Sequence, residues 1–458
     1  MKREKLEEAL DQISEKHIAE AAAIQNKHKR IWLGAIAAVL TVVIVISIFP
    51  ISLPLPVKAV STADYPKYEW KYREEMKDTQ ALLQSFFCAS ISQTLSGAGK
   101  ENQTYSPINL YMALSLAAEL TDGDSRQQIL DLLDAESMET LRSQANSIWN
   151  ACYLDKGDQT LLANSLWLDK GLGYRQSVMD TLSDSYYTSV YQGELGSSKT
   201  NRAIRMWLNN QTGGLLKDEV QNAGIQTDPG SFPVLALYST VYYQAKWTES
   251  VEFSPSANTD GVFHAPNGDI SCTFMNKKEM QTNYYWGDDF GAVSLGLKDG
   301  SRMWLILPDP DKTVDDVLSS GEFLDCALSG YAYEEGTSNY KYMKVNLSLP
   351  KFDIKAQNDL KEDMQTLGVT DIFSPEDADF SASVEGDCPV WLTAMNQATR
   401  VAIDEKGVTA ASYIELPSAG AAAPPEEIID FILDRPFLFV ITNRYSLPLF
   451  AGVVNQPQ

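Results

Sequence analysis

Near its C-terminus the chain reads Phe431-Ile432-Leu433-Asp434-Arg435-Pro436-Phe437-Leu438-Phe439-Val440-Ile441. The apolar run that follows Pro436, Phe437–Thr442, carries no charge and predicts a buried strand. A second apolar run, Leu449–Val453, predicts another strand a few residues later. The chain therefore ends in two strands rich in aromatic and branched side chains.

The segment before this stretch combines a charged turn with an alternating pattern. Asp404-Glu405-Lys406-Gly407 is followed by Val408-Thr409-Ala410-Ala411-Ser412-Tyr413-Ile414-Glu415. Because side chains alternate along a strand, one face is small and uncharged, and it is formed by Val408, Ala410, Ser412 and Ile414. The small residues of 418–425 then predict an exposed loop that is open to proteolysis. Taken alone, the same run also fits an alanine-rich connection between two strands.

Hydrophobic periodicity divides the chain into a helical first half and a strand-rich second half. Helical spacing begins near Asp78 and is predicted again at 107–120, 124–133, 138–150, 174–188 and 199–212. Strands are predicted at Leu161–Leu168, Val234–Tyr243, Ala292–Leu297, Met303–Leu307, Met343–Leu349 and Gln397–Ile403. This order is typical of an α+β fold and not of alternating βαβ units.

The N-terminal residues predict a membrane tether. Residues 1–30 are highly charged and end in the basic cluster Lys27–Arg30, which favours an N-terminus inside the cell. Ile31–Phe49 carries no charge, and a helix of that length spans about 28 Å, close to the hydrocarbon thickness. We therefore expect a single-pass protein of the cell membrane with a cytoplasmic tail (1–30), a transmembrane helix (31–49), a juxtamembrane linker (50–78) and an extracellular domain (79–458). A cleaved signal peptide ending near Ala59 is the alternative, which the long, acidic n-region disfavours.

Composition excludes several classes of function. The net charge of −24 argues against binding of nucleic acid, which needs a basic face. Only His264 lies beyond the apolar segment, where a strand is predicted to run into a turn, so neither a Ser-His-Asp site nor a multi-histidine metal site is expected. The five cysteines lack CxxC spacing and predict small buried side chains instead of a metal site. We expect no catalytic residue, no metal and no cofactor.

The stretch Phe431–Ile441 resembles the C-terminal signature of the serpin family, and Asp404–Gly407 followed by small residues is similar to the hinge of the serpin reactive loop. Other similar blocks occur in the family order, namely Asn102–Leu130 with Tyr105-Ser106-Pro107, Leu235–Trp247 ending in Ala245-Lys246-Trp247, Leu349–Phe352 and Leu367–Phe373. The resemblance covers about residues 79–457. It implies a serpin-like α+β fold with a large mixed central sheet, further sheets, about eight or nine helices and an exposed reactive-centre loop, preceded here by one transmembrane helix.

The resemblance also implies a mechanism, that of a suicide-substrate inhibitor of serine proteases. A protease cleaves the exposed loop and forms an acyl-enzyme, and the freed hinge inserts into the central sheet. In the family pattern the cleaved bond lies about fourteen residues beyond the hinge glycine, which places it at Ala421-Ala422. Alanine before the cut suits a small pocket, and no basic residue occurs between Lys406 and Arg435, so elastase-like targets are expected.

The residues implied by the resemblance form four groups. The hinge comprises Glu405, Lys406, Gly407, Val408, Thr409, Ala410, Ala411 and Ser412; the reactive bond joins Ala421 and Ala422; the bait flank comprises Ser418, Ala419, Gly420 and Ala423; and the shutter and breach comprise Ser106, Ser239, Trp247 and Gln397. Gln397 replaces a histidine found in many serpins, and Ser239 replaces an asparagine. Both can form hydrogen bonds, so we expect a rewired shutter.

The main alternative is a non-inhibitory serpin that acts as a surface binding protein. Small uncharged residues in the hinge favour inhibition, because a charged or bulky hinge would resist insertion. A membrane-bound hydrolase is disfavoured by the scarcity of histidine. We expect a monomer whose partners are elastase-like serine proteases and, through one helix, the membrane.

Overall fold

The computed structural model describes residues 57–65, 76–154, 159–211, 224–225, 235–328, 339–386, 389–392, 395–408 and 425–457. Nine α-helices occur within these ranges: Met76–Leu95 (α1), Pro107–Leu120 (α2), Gly123–Leu132 (α3), Met138–Cys152 (α4), Gln176–Tyr186 (α5), Ser198–Gln211 (α6), Val314–Ser320 (α7), Glu322–Leu328 (α8) and Lys361–Thr366 (α9). The described part of the chain therefore agrees with the predicted number of helices.

The strands of the described residues are numbered in chain order. They are Lys58–Ser61 (β1), Gln103–Tyr105 (β2), Gln159–Asp169 (β3), Gly173–Tyr174 (β4), Thr188–Gly193 (β5), Leu235–Lys246 (β6), Thr259–Ala265 (β7), Gly268–Trp286 (β8), Phe290–Gly296 (β9), Arg302–Pro308 (β10), Tyr340–Pro350 (β11), Phe352–Asp359 (β12), Val384–Glu385 (β13), Asn396–Asp404 (β14), Gly407–Val408 (β15), Ile428–Ile432 (β16), Phe437–Thr442 (β17) and Pro448–Val454 (β18). Every strand that the periodicity predicts is present.

The strands form a large central sheet and a second, wrapped sheet. The central sheet has seven strands in the order β1-β5-β3-β6-β15-β14-β12, and it is mixed because β3 and β5 are parallel while the other pairs are antiparallel. The second sheet has nine strands, with the order β16-β11-β8-β9-β10-β17-β18-β2 and β7 paired to β8. Val384–Glu385 pairs separately with Gly173–Tyr174. These sheets confirm the α+β class.

The main core lies between the central sheet and the second sheet. Ser106 caps the N-terminus of helix α2, because its Oγ accepts a hydrogen bond from Asn109 N at 3.3 Å, and nearly all side chains of the helix are buried. On the same side of the central sheet, the ring centroid of Tyr243 (β6) lies 6.5 Å from that of Phe450 (β18). The opposite face is covered by α6, whose Trp207 joins a buried cluster with Trp167 of β3.

The folded unit begins before residue 79. Lys58–Ser61, which the sequence analysis assigns to the linker, is the outermost strand of the central sheet and pairs with β5. Tyr65 then stacks on Trp149 of α4, with ring centroids 5.6 Å apart and planes only 2° from parallel. A four-residue edge strand next to prolines carries too few alternating positions to be recognised by period, so its assignment needs the partner strand.

The predicted tail (1–30) and transmembrane helix (31–49) lie outside the described residues. Within the described ranges, no helix is both long and apolar enough to cross a membrane. The predicted helix at 174–188 ends at Tyr186, because Tyr187 adopts a left-handed conformation (φ 51°) and β5 begins at Thr188. His264 lies at the end of β7 just before a tight turn, as predicted, and Nδ1 of its exposed ring donates a hydrogen bond to Asp269 Oδ1 at 2.8 Å.

Candidate functional site

The hinge already forms a strand inside the central sheet. Gly407–Val408 lies between β6 and β14 and is antiparallel to both. Val408 lies opposite Ala245 on one side and Ile403 on the other, and only 2% of its surface is exposed. The first residue of the predicted small face is therefore directed into the core.

Gly407 approaches the neighbouring strand too closely for a side chain. A Cβ at this position would collide with the carbonyl oxygen of Ala245 and would lie 2.7 Å from the Cα of Lys246. Backbone atoms cannot move aside as a flexible side chain can. Glycine is consequently required where the chain leaves the turn and enters the sheet.

Asp404 and Trp247 hold the turn that precedes the hinge. Asp404 Oδ1 accepts hydrogen bonds from the backbone N–H groups of Lys406 at 2.7 Å and Gly407 at 3.2 Å, which is an Asx turn. The indole Nε1 of Trp247 donates to the carbonyl of Asp404 at 2.8 Å, and the Trp247 backbone N–H donates to that of Lys406 at 3.0 Å. The breach tryptophan thus binds the turn from two directions.

Glu405, the next residue of the turn after Asp404, is held by two partners. Lys351 Nζ and Asn258 Nδ2 each lie 2.5 Å from Glu405 Oε1. The Glu405 side chain is only 14% exposed. Burial by itself would raise the pKa of Glu405, but the hydrogen bonds from Lys351 and Asn258 outweigh it and hold the pKa below its ordinary value. The turn is thereby tied to the start of β12 by a shielded ion pair.

Gln397 bridges β14 and the start of helix α2. Its Oε1 accepts from the backbone N–H of Ser106 at 2.7 Å, and its Nε2 donates to the carbonyl of Ser106 at 3.1 Å. The side chain is 6% exposed, so both bonds are shielded from water. One amide therefore satisfies a buried backbone donor and a buried backbone acceptor at once, which a single imidazole nitrogen could not do.

Ser239 on β6 also contacts helix α2. Its Oγ contacts Asn109 Oδ1 and lies 2.5 Å from Asn164 Oδ1. A hydroxyl has one proton and cannot donate to both oxygens, while the buried Nδ2 of Asn164 has no partner among the described residues. Turning the Asn164 amide over resolves both problems, because Nδ2 then donates to Ser239 and Ser239 donates to Asn109. These contacts join β6, β3 and α2.

The structure thus brings Ser106 and Gln397 into direct contact, and it links Trp247 to the hinge turn. The remaining predicted positions lie outside the described residues: Thr409, Ala410, Ala411, Ser412, Ser418, Ala419, Gly420, Ala421, Ala422 and Ala423. Sequence reasoning missed the roles of Asn109, Asn164, Asn258 and Lys351. Asn109 and Lys351 carried a signal, since they lie in the family-like blocks Asn102–Leu130 and Leu349–Phe352, but the blocks alone do not show which side chains are their partners.

Acidic, histidine and cysteine side chains do not form a metal cluster within the described ranges. The described cysteines are free thiols, namely Cys88, Cys152, Cys272 and Cys326. Burial raises the pKa of the Cys88 and Cys326 thiols to about 11, so they are protonated at neutral pH. The site therefore consists of backbone hydrogen bonds between strands, and of side-chain hydrogen bonds that hold the turn and helix α2 around the hinge strand.

A family model described as Serpin (serine protease inhibitor) matches residues 83–457. Serpin-ZX of Arabidopsis thaliana is 26% identical over 378 residues, covering 78% of this chain and 92% of that protein. Antithrombin-III of Homo sapiens is 24% identical over 389 residues, covering 81% of each.

Solved structures show the same fold. The thermophilic serpin Tengpin in its native state has a TM-score of 0.71 at 22% identity and covers 87% of this chain and all of its own. A complex of thyroxine-binding globulin with thyroxine has a TM-score of 0.67 at 19% identity and covers 83% of this chain and 100% of its own.

The chain thus combines a mixed central sheet, a short hinge strand between β6 and β14, and the fold of solved serpin structures. Since the family model spans most of the sequence, the chain belongs to the serpin family. Its relatives include plasminogen activator inhibitor 1 of Bos taurus, which is 25% identical over 393 residues.

Proposed function

We propose that this protein inhibits elastase-like serine proteases as a suicide substrate, by cleavage of its reactive loop and insertion of the loop into the central sheet. The observation that carries the proposal is the two-residue strand Gly407–Val408 between β6 and β14. Insertion continues a ladder that already exists, so the first hydrogen bonds and the register need not be created after cleavage. Each further inserted residue adds ladder bonds on two sides.

The existing register predicts where the inserted residues would lie. Val408 pairs with Ala245, so each step forward along the loop is one step back along β6. Six residues beyond Val408, Ile414 would then lie opposite Ser239 on β6 and, by the β14 register, opposite Gln397. Insertion would thus separate the two shutter residues and place an apolar side chain between them.

The bulky Tyr413 would fall on the opposite face, between Thr240 and Ala398 in the same register. Ala398 packs against the buried cluster beneath α6 that contains Trp207. An aromatic side chain in this position would meet an apolar surface instead of a charge. This placement supports toleration of Tyr413, provided that α6 shifts to admit the ring.

The length of β6 matches the distance from hinge to bait. In this register Ser418 would lie opposite Leu235, the first residue of β6, three positions before Ala421. The twelve residues of β6 span roughly 40 Å at about 3.3 Å each. A protease attached to Ala421 would therefore be carried from one end of the sheet to the other, which is the displacement needed to distort its acyl-enzyme.

The target class is inferred from the bait. Alanines at 421 and 422 suit the small pocket of an elastase-like enzyme, and the loop offers no basic residue to a trypsin-like one. The full-length protein should form a complex with elastase-like proteases that survives boiling in detergent, and none with trypsin. Ala421→Arg should shift complex formation toward trypsin-like enzymes. A released C-terminal fragment that begins far from Ala422, by mass spectrometry, would disprove the assignment of the bond.

The non-inhibitory alternative remains a distinct reading of the same fold. The thyroxine-binding globulin structure shows that the fold also accommodates a small-molecule complex, so the fold alone does not distinguish the two. The hinge favours inhibition, because Val408 is already accepted by the sheet. Cleavage near Ala421 should strongly raise the thermal midpoint if the loop inserts, and an unchanged midpoint would favour the alternative.

We also propose that the inhibitor is a single-pass protein of the cell membrane, displayed outside the cell by residues 31–49. The uncharged run and the preceding Lys27–Arg30 cluster support this proposal. Protease added to intact cells should remove the folded domain and spare the first thirty residues. Soluble protein beginning near Val60 would instead show that the segment is a cleaved signal peptide.

A further inference from the structure

The edge strand β16 exposes apolar side chains that contribute nothing to the core. Ile428 is 52% exposed and Ile432 is 44% exposed, whereas the intervening Phe431 is 3% exposed. On the neighbouring strand β11, Tyr342 is 44% exposed. We call this surface, formed by Tyr342, Ile428, Asp430 and Ile432, the β16 face.

The pairing of β16 with β11 shows that these residues share one side of the sheet. Ile428 lies opposite Lys344 and Ile432 lies opposite Ser348 in a parallel ladder. Between them, Asn346 Nδ2 donates to Asp430 Oδ1 at 2.8 Å. β16 is also the outermost strand of its sheet. Branched apolar residues exposed on an edge strand favour unwanted association, so their presence suggests a partner.

The position of the β16 face in the chain identifies that partner. Ile428 follows Ala422 by six residues, which span at most about 20 Å when fully extended. A globular domain of about 200–250 residues has a radius of gyration of about 17 Å and hence a diameter of about 45 Å. A protease of this size bound at Ala421-Ala422 would be too wide to stand clear of β16, so part of its body must lie within reach of this face.

We propose that the β16 face is an exosite that contacts the body of the target protease beside its active-site cleft, on the side of the leaving group. This inference rests on the proposed inhibitory function. The two isoleucines and Tyr342 suit an apolar patch on the protease, and the carboxylate of Asp430 between the isoleucines suits a basic residue within that patch. The face would add affinity to a bait of small residues, which offers few side-chain contacts of its own.

The test measures binding of the full-length protein to an elastase-like protease whose catalytic serine is replaced by alanine. The double variant Ile428→Ser/Ile432→Ser should weaken binding about tenfold, the loss caused by a single strong interface residue. Val262→Ser is the matched control, because Val262 is also 44% exposed. It lies on β7, which pairs with β8 and is separated from β16 by β8 and β11. The control should bind as the unmodified protein does.

Equal binding by the unmodified protein and the double variant would overturn the exosite, as would the absence of measurable binding by either. Inhibition is tested separately with the active protease. If no detergent-stable complex forms while the double variant still weakens binding, the exosite is correct and the inhibitory mechanism is wrong. Sedimentation of the protein alone supplies a further check, since a dimer that the double variant abolishes would assign the β16 face to self-association and overturn the proposal.

Discussion

Replacement of Val408 by arginine tests the central step of the mechanism. Val408 is the residue through which the loop enters the sheet, and it is 2% exposed between Ala245 and Ile403. Complete burial of a valine side chain contributes about 1.5–3 kcal/mol, which Val408→Arg removes. In the uncleaved variant the arginine would leave the sheet for solvent, and insertion after cleavage would have to return its guanidinium to an apolar layer without a partner, at an effective cost of several kcal/mol.

A barrier to insertion that rises by only about 3 kcal/mol slows insertion roughly 150-fold. Deacylation of the protease would then be faster than loop insertion, and the protein would be cleaved as an ordinary substrate. The assay titrates an elastase-like protease with the protein and compares covalent complex with cleaved inhibitor on a denaturing gel. The stoichiometry of inhibition should rise from about one to well above one for Val408→Arg, because the ratio of deacylation to insertion rises by the same roughly 150-fold.

Thr409→Arg is the matched control, because alternation along a strand predicts that residue 409, once inserted, faces away from the core. This variant should retain a stoichiometry near that of the unmodified protein. The reasoning would be refuted if Val408→Arg inhibited fully, or if both variants lost inhibition to the same extent. Either result would mean that burial of the first hinge side chain does not control insertion.

Three further predictions concern stability. Glu405→Gln should lower the thermal midpoint at pH 7. Because the folded pKa of Glu405 is depressed, the carboxylate stabilises the fold above its unfolded pKa of about 4.3, and this stabilisation is lost as pH falls through the folded pKa. The thermal midpoints of the variant and the unmodified protein should therefore converge at acid pH. Gln397→Ala should lower the midpoint because it leaves the buried N–H of Ser106 unpaired, at about 1–3 kcal/mol, while the Ser106 carbonyl keeps its hydrogen bond from the Leu110 N–H; an unchanged midpoint would rule out the bridge. Tyr65→Ala should lower it by several degrees because it removes the stack on Trp149, whereas no change would place Tyr65 outside the folded unit.

The sequence alone predicted six of the nine described helices, eight of the eighteen described strands and the family. Helical and strand periods are local properties, so the run 107–120 was sufficient to predict helix α2 with its observed bounds. The C-terminal stretch and the hinge turn were recognisable for the same reason, since their residues are adjacent in the chain. Val408 was predicted to be on an inward face from alternation alone, and its burial agrees.

Only the tertiary structure decided which distant residues meet. Gln397 and Ser106 are 291 residues apart, and nothing local to either shows that one amide would bind both backbone groups of the other. Lys351 and Glu405 likewise become partners only when β12 and the hinge turn meet at the end of the central sheet. Lys58–Ser61 became a strand only because the exposed edge of β5 supplies its hydrogen bonds. A periodic pattern records which side of an element is buried, whereas pairing between elements depends on the whole fold, which a local pattern does not contain.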